Sequence, residues 1–293
     1  MRTLELTVEQ SEQGLTVKTV LRHRLCLAAG LLSHLKFVPH AVRNNGRDVR
    51  LIDRVAAGDR LTVQLGEEGE SRFVPAPLPL EILYEDEDLL IVNKPAGLTM
   101  HSSAVPSLGS AAAAYLGEDI PFRPVQRLDK GTGGVLCLAK NRYIHDRLRQ
   151  MLHSDDFTRE YLAIACGCLN PPSGCIDAPI SKAADAAHRH FVTPDGLPSR
   201  TVYETVGGSG ELSLLQLRLL TGRTHQIRVH LSHIGHPLLG DSLYGEADAR
   251  ISRPALHSRT LSLLHPLSGK RIVVSAPLPE DMAALFAAAE TDI

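Results

Sequence analysis

The chain has 293 residues, of which 43% are hydrophobic and 22% are charged, and its formal net charge is -2. This ordinary globular composition excludes a disordered or fibrous chain. No apolar run reaches the ~20 residues of a membrane-spanning helix, and the N-terminus lacks the layout of a signal peptide. Five cysteines in so long a chain do not indicate a disulfide framework. We therefore expect a cytoplasmic protein without a membrane anchor, and a monomer by default.

Positive charge is concentrated in residues 14–60, which carry nine Lys or Arg and three Asp. Apolar residues recur at helical spacing over residues 15–35, and the small residues 28–30 interrupt them, which predicts two short helices joined by a turn. A turn signal follows at residues 44–46, and residues 54–63 have the pattern of a turn and then a strand.

The two arginine-bearing helices and the NGR and AGDRL segments resemble the S-four-like RNA-binding module, which is named after a small-subunit ribosomal protein. Basic helix faces contact phosphates, which position a nucleic acid without reading its sequence. The resemblance implies RNA contacts from the basic side chains of this module: Arg22, Arg24, Lys36, Arg43 and Arg47. Residues 66–79 contain acids, glycines and three prolines, which is typical of a linker. The predicted domains are therefore residues 1–65 and 80–293, joined by residues 66–79.

Patterns of strands and helices are mixed beyond residue 80. Residues 89–95 and 134–139 are apolar runs typical of buried strands, and residues 141–152 predict a helix with Asn141 as its N-cap. Further strands are predicted over residues 161–168 and 212–219, and a terminal helix over residues 282–289. Because several strands follow one another without a helix between them, we predict an α+β fold. Its catalytic domain would have a mixed, largely antiparallel sheet with flanking helices, beside a small N-terminal α/β module.

The most unusual segment is RPVQRLDKGTGG, residues 123–134, in which Asp129 lies between Arg127 and Lys130. Cations beside a carboxylate favour its ionised form, which a nucleophile requires. Three glycines in four residues allow the backbone to approach a ligand closely. From these residues alone, a capped turn with a surface ion pair is an equally good interpretation.

A second unusual segment is LTGRTHQIRVHL, residues 220–231, which is followed by GHPLLGD at residues 235–241. Ile227, Leu231 and Ile234 have helical spacing, and Arg228 lies at the edge of this apolar stripe. Two interpretations stay open for Arg228, because it either points into a cleft or is a solvated arginine on an amphipathic helix.

Four segments together, EDLLIVNKPAGL, QRLDKGTGGVLCLAK, TGRTHQIRVHL and GHPLLGDSLYG, resemble the RluA-type pseudouridine synthases. The resemblance extends over about residues 80–275 and implies an enzyme that acts on a uridine in structured RNA, ribosomal or transfer. Such an enzyme flips the target base out of its stack, breaks its bond to the sugar, rotates it and rejoins it through carbon 5. The isomerisation consumes no redox equivalent, so no cofactor is expected.

The resemblance also implies roles for individual residues. Asp129 would act on the uridine, either by attacking the sugar or by deprotonating it. Arg127 would fill the stack that the flipped base leaves, and Lys130 would also contact the RNA. Tyr161 would pack on the target base, and Arg228 would pair with Asp129 and hold its rotamer. The sequence departs from the family pattern by having Gln126 for His, Gly133 for Ser and Arg159 for Lys.

Two other classes of protein are weighed against this function. A non-catalytic RNA-binding or ribosome-assembly protein on a synthase scaffold does not need Asp129, and Asp129 is present. An aspartyl-phosphate phosphoryl-transfer enzyme needs a magnesium site with a second acid, and Gly131 occupies that position. No metal site is predicted, because the histidines between 225 and 236 lack a metal-binding spacing and are interpreted as structural or exposed. Which RNA and which uridine are modified stays open.

Overall fold

The structure, a computed structural model, describes residues 2–65, 71–102, 106–117, 120–183 and 189–291. Its strands are β1 (Arg2–Thr7), β2 (Val42–Asn44), β3 (Arg47–Asp48), β4 (Arg60–Leu65), β5 (Glu81–Glu85), β6 (Leu89–Lys94), β7 (Gly133–Ala139), β8 (Phe157–Cys166), β9 (Ser173–Asp177), β10 (Ile180–Lys182), β11 (His190–Val192), β12 (Arg200–Ser209), β13 (Leu212–Leu219), β14 (Leu256–Leu264) and β15 (Arg271–Ser275). Its α-helices are α1 (Val17–Arg24), α2 (Ala29–Leu35), α3 (Leu108–Leu116), α4 (Arg142–Met151), α5 (Gln226–His233) and α6 (Glu280–Thr291).

The N-terminal part of the chain forms a small α/β unit. Its described strands make an antiparallel sheet in the order β1-β4-β2-β3, with Leu4 of β1 opposite Val63 of β4. The two predicted helices are confirmed as α1 and α2, and the side chain of Thr16 caps α1 by accepting a hydrogen bond from the Thr19 amide. The predicted strand near residue 60 is confirmed as β4. Strand β1 was not predicted.

The larger part of the chain is built on one sheet. Its nine described strands run in the order β5-β6-β7-β14-β8-β13-β12-β9, with β15 beside β14, and among them only β7 and β14 pair in parallel. The predicted strands and helices of this part are all present, and Asn141 caps α4 by accepting from the Ile144 amide. The fold is therefore α+β with a mixed, largely antiparallel sheet, as predicted.

Both faces of the large sheet are buried, which explains its continuous apolar runs. On β6, Leu89 and Ile91 belong to one hydrophobic core with the small unit and α4. Leu90 and Val92 belong to a second core, which includes residues of α3 and α5 on the opposite face. Since successive strand residues point to opposite faces, a strand covered on both sides has no polar alternation.

The small unit is attached to the large sheet by specific contacts. The Tyr143 hydroxyl on α4 donates to the Leu25 carbonyl at 3.0 Å, and Arg2 of β1 forms an ion pair with Asp88 at 3.1 Å. Residues 71–79 of the predicted linker contain no helix or strand, and residues 66–70 lie outside the described residues. The predicted domain boundaries stay a prediction. Within the described part of the chain, no helix is both long and apolar enough to cross a membrane.

Candidate active site

Asp129 lies in the loop that leads into β7, and the side chain of Lys94 fixes the backbone of this loop. The Lys94 ammonium is fully buried and donates to the carbonyls of Pro95 at 2.9 Å, Leu98 at 2.8 Å and Lys130 at 3.5 Å. Burial lowers the pKa of Lys94 to about 8, although the nearby Asp129 carboxylate opposes this shift. One buried ammonium thus joins the end of β6 to the Asp129 loop.

Glycines allow these two loops to pack closely. A Cβ atom at Gly133 would lie 3.1 Å from the Lys94 carbonyl oxygen and 3.2 Å from the Ala96 nitrogen. Gly134 has φ +112°, and a Cβ atom there would lie 2.1 Å from the Ser258 carbonyl oxygen. Serine, which the family pattern has at position 133, would require these backbone neighbours to shift by a few tenths of an ångström. The glycine-rich segment therefore serves loop packing beside Asp129.

Asp129 faces open space. Its side chain is 27% exposed and lines both an inner pocket of about 50 Å³ and an adjoining cleft of about 510 Å³. Arg127 and Arg228 line the same two cavities. Arg127 is exposed, and so is Lys130, which lines the cleft. The carboxylate is therefore accessible to a ligand and is surrounded by cations.

Arg228 is held by a residue that the sequence analysis did not select. Asp241 is fully buried and accepts two hydrogen bonds from the Arg228 guanidinium, at 2.7 Å from Nε and 2.8 Å from Nη2. The remaining nitrogen, Nη1, lies 3.6 Å from an Asp129 carboxylate oxygen. Burial lowers the pKa of Arg228, but Asp241 outweighs burial and the pKa is raised. The predicted pairing of Arg228 with Asp129 is thus its second, longer ion pair.

His225 is a further neighbour of Asp129. It precedes α5 in a left-handed conformation with φ 56°, which turns its Nε2 toward the Asp129 carboxylate at 3.8 Å. Its Nδ1 lies 2.9 Å from the Tyr244 hydroxyl, and the Tyr244 ring lies under the Arg228 guanidinium at 5.0 Å. Burial lowers the pKa of His225, although Asp129 opposes the shift, so the imidazole is neutral at pH 7. This histidine, interpreted from the sequence as structural or exposed, is hydrogen-bonded to Tyr244 and also faces Asp129.

Tyr161 lines the inner pocket from β8. Its side chain is 4% exposed, and burial raises the pKa of its hydroxyl, which stays protonated at neutral pH. Arg159, on the same strand, is buried and donates to the Leu152 carbonyl at 3.3 Å. Gln126, which stands in place of the family's histidine, is also buried. Tyr161 is thus the member of this group that lines the inner pocket together with Asp129.

The predicted RNA-binding residues of the small unit lie on one helix, on one hairpin and at the end of a second helix. Arg22 and Arg24 are on α1, Arg43 and Arg47 are on the β2–β3 hairpin, and Lys36 follows α2. Arg24 forms ion pairs with Glu9 at 2.7 Å and Glu12 at 3.1 Å, and Arg43 pairs with Asp48 at 3.2 Å. Arg22, Lys36 and Arg47 are exposed and make no ion pair within the described part of the chain.

One cluster in the described residues has the composition of a metal site, namely Asp86, Asp88 and His265. The His265 Nδ1 accepts hydrogen bonds from the amides of Leu267 at 3.2 Å and Ser268 at 3.1 Å. An acceptor Nδ1 places the proton of a neutral imidazole on Nε2, which faces Asp86 at 3.4 Å and Asp88 at 3.7 Å. The ring therefore presents a proton to the carboxylates, where a metal would need a lone pair.

Comparison with known proteins identifies the family. The family described as RNA pseudouridylate synthase matches residues 88–233 of the chain. The chain is 37% identical to the uncharacterized RNA pseudouridine synthase YhcT of Bacillus subtilis, over 96% of this chain and 95% of that protein. It is 38% identical to ribosomal large subunit pseudouridine synthase D of Escherichia coli, over 82% of this chain and 79% of that protein. The chain belongs to the RNA pseudouridine synthase family.

A solved structure agrees with this membership. The human RNA pseudouridylate synthase domain containing 1 is 26% identical, covers 73% of this chain and 96% of its own, and superimposes with a TM-score of 0.58. The predicted resemblance to RluA-type enzymes, the predicted fold class and the predicted reaction, isomerisation of uridine in RNA, are confirmed. This membership favours a pseudouridine synthase over the two other classes considered, a non-catalytic RNA-binding protein and a phosphoryl-transfer enzyme.

Proposed function

We propose that this enzyme modifies a uridine in the RNA of the large ribosomal subunit, with Asp129 as the residue that acts on the uridine. The observation that carries the proposal is the position of Asp129, an accessible carboxylate in a cleft with Arg228 and His225 within 4 Å. The choice of RNA is supported by the Escherichia coli relative, which is a ribosomal large subunit pseudouridine synthase. Transfer RNA is the alternative that the test distinguishes.

The neighbouring side chains are assigned to the steps of the reaction. Arg127, exposed at the cleft, would occupy the stack that the flipped base leaves. Tyr161 would pack against the base in the inner pocket and, being protonated, would also offer a hydroxyl donor there. Arg228, fixed by Asp241, would keep the Asp129 carboxylate turned toward the sugar. Asp129 then either attacks the sugar or removes a proton from it.

We also propose that residues 1–65 act as the S-four-like RNA-binding module, with residues 66–79 as linker and residues 80–293 as catalytic domain. Arg22, Lys36 and Arg47 would contact phosphates together with the cleft residue Lys130, and Arg24 and Arg43 would take part more weakly. The enzyme is also proposed to act as a monomer, in the cytoplasm where ribosomal RNA is found.

The test is single-base mapping of pseudouridine in ribosomal and transfer RNA from cells that lack this gene. Complementation with the wild-type gene should restore one or more sites in large-subunit RNA, and complementation with Asp129→Asn should restore none. The purified Asp129→Asn protein should bind RNA within a few-fold of the wild type, because only the reacting oxygen is altered. Product from the Asp129→Asn protein would refute the role of Asp129, and missing sites only in transfer RNA would refute the choice of substrate.

A further inference from the structure

An aromatic cluster lies at the cleft that contains Asp129, and none of the roles proposed above uses it. We name Phe73, His101 and Phe122 the aromatic corner. The His101 and Phe73 rings stack with centroids 5.7 Å apart and planes inclined by 23°. Phe122 packs edge-on against both, at 5.3 Å from His101 and 5.5 Å from Phe73. His101 is exposed and lines the cleft together with Arg127 and Asp129.

The backbone around the aromatic corner is fixed to the start of α3. The Thr99 carbonyl accepts from the Leu108 amide at 2.9 Å, and the Met100 carbonyl accepts from the Gly109 amide at 3.1 Å. Phe73 packs directly over Gly109, where a Cβ atom would lie 2.8 Å from its ring. Residue 109 therefore needs to be glycine for Phe73 to reach His101. Two rings and a helix end hold the His101 imidazole at the cleft.

The chemistry of His101 suits a nucleobase. Burial and the Arg127 guanidinium lower the pKa of His101, so its ring is neutral at neutral pH. A neutral planar ring with an exposed surface stacks on RNA bases, which offer the same kind of flat surface. The adjacent cleft residues Arg127, Lys130 and Arg228 carry positive charge that complements phosphates. A nucleic acid, with its negatively charged backbone and flat bases, fits this combination of an aromatic ring and cations. An apolar peptide does not.

We propose that His101, held by Phe73 and Phe122, forms a stacking subsite for the base of a nucleotide next to the target uridine. The proposal rests on the proposed placement of that uridine at Asp129. Lys130 lines the same cleft as both residues, so that it can neutralise the phosphate between the two nucleotides. The subsite would contribute to the choice of sequence or local structure around the uridine, whereas Asp129 contributes the chemistry.

The experiment compares two probes on the full-length protein. One is a fluorescently labelled oligouridylate, and the other is an oligomer of equal length whose nucleotides lack bases. Binding is measured by anisotropy at elevated salt, where phosphate contacts are weakened. The wild type should bind the oligouridylate more tightly. His101→Ala should weaken that binding roughly tenfold, as expected for the loss of one base–aromatic stack, and leave binding of the abasic oligomer unchanged.

Two variants control the experiment. His101→Phe keeps a flat ring and should bind the oligouridylate within about twofold of wild type, whereas His233→Ala removes another exposed histidine and should have no effect. Unchanged binding of the abasic oligomer also shows that each variant is folded. Equal losses on both probes, no loss on either, or a His101→Phe protein as weak as His101→Ala would each overturn the subsite. These outcomes are independent of pseudouridine mapping, which tests the proposed function.

Discussion

The cleft and the small unit both carry arginines paired with acids, but the two sets of pairs differ in their exposure to water. In the cleft, Arg228 makes a two-bond contact with Asp241, whose side chain is 0% exposed. In the small unit, Arg43 pairs with Asp48, whose side chain is 52% exposed. Exposed ion pairs contribute little to stability, whereas breaking a buried pair leaves an uncompensated charge and is costly. The cleft therefore has a fixed arrangement of charges, and the small unit has adaptable ones.

This difference corresponds to the two proposed tasks, catalysis at the cleft and RNA binding by the small unit. Asp241 also accepts hydrogen bonds from the amides of Leu243 at 3.1 Å and Tyr244 at 3.3 Å, so one carboxylate orients both Arg228 and the segment that carries Tyr244. Donors and cations fixed before the substrate arrives do not have to reorganise during the reaction. Phosphate contacts, in contrast, need only mobile cations of the right sign. Precise geometry is required where the bond is broken.

Among changes to the ion pairs compared above, the largest effect is expected from Asp241→Asn. The amide keeps the shape of the side chain but removes the charge that holds the buried Arg228. We expect kcat to fall about 100-fold, as for a misplaced catalytic group, with little change in KM. The free energy of unfolding should fall by about 3 kcal/mol. Single-turnover kinetics and urea unfolding measure the two quantities.

Asp48→Asn is the matched control, because it makes the same change in an exposed pair. It should alter the free energy of unfolding by less than about 1 kcal/mol and leave kcat unchanged. Similar losses in the two variants would show that burial does not distinguish the two regions. A full loss of stability in Asp241→Asn without a change in kcat would show that Asp241 supports the fold alone.

Much of the fold could be predicted because local sequence patterns are strong in it. The apolar runs of β6 and β7 and the Asn141 cap of α4 were predicted from short windows, and the structure contains all three. Strand β1 was missed although Leu4 and Leu6 alternate with polar residues, since its partner β4 lies more than fifty residues away in the chain. The parallel pairing of β7 with β14 has no local pattern.

The site was predicted in part for a related reason. Asp129 has unusual neighbours in the sequence, and its motif also matched a family. Asp241 has no such signal, because its role depends on a guanidinium thirteen positions earlier that reaches it only in the folded chain. His225 faces Asp129 because its backbone is left-handed, a conformation that sequence seldom reveals for histidine. The assigned roles of Asp129, Arg127, Lys130, Tyr161 and Arg228 all stay predictions that kinetics and RNA binding of variants will test.

A smaller, pH-dependent effect is expected from another buried group of the large sheet. His257 on β14 lies opposite Gly133 at the start of β7 and is 2% exposed. Burial lowers its pKa from 6.5 to about 4. Above pH 6.5 the ring is neutral in both the folded and the unfolded chain. Below that pH only the unfolded chain takes up the proton, so the free energy of unfolding falls as the pH approaches 4, by about 3 kcal/mol in total.

His257→Gln provides the comparison, because glutamine does not titrate. Wild type and variant are unfolded in urea at a series of pH values between 7 and 4. The wild type should lose stability more steeply as the pH falls, so that the difference between the two chains shifts in favour of the variant. Other buried histidines, such as His230, titrate in both chains and cancel from this difference. A difference that is constant with pH would contradict the assigned burial effect.

The smallest effect concerns the exposed charges of the small unit, where two matched pairs of arginines are available. Arg22 and Arg24 lie on α1, and Arg43 and Arg47 lie on the β2–β3 hairpin. One member of each pair, Arg24 or Arg43, has an acidic partner within the protein. The double variant Arg22→Gln/Arg47→Gln should therefore reduce the steepness of log affinity for RNA against log salt by about 1.4 to 1.8, at ~0.7 to 0.9 for each phosphate contact.

The double variant Arg24→Gln/Arg43→Gln should change that slope by less than half as much, because these guanidinium groups are already neutralised by Glu9, Glu12 and Asp48. Both variants change the formal charge of the protein equally, so a difference between them reports local pairing and not total charge. Identical slopes would mean that the intramolecular pairs open when RNA binds. In that case Arg24 and Arg43 leave their acidic partners and contact phosphates when RNA binds. Arg228, whose partner Asp241 is buried, stays paired.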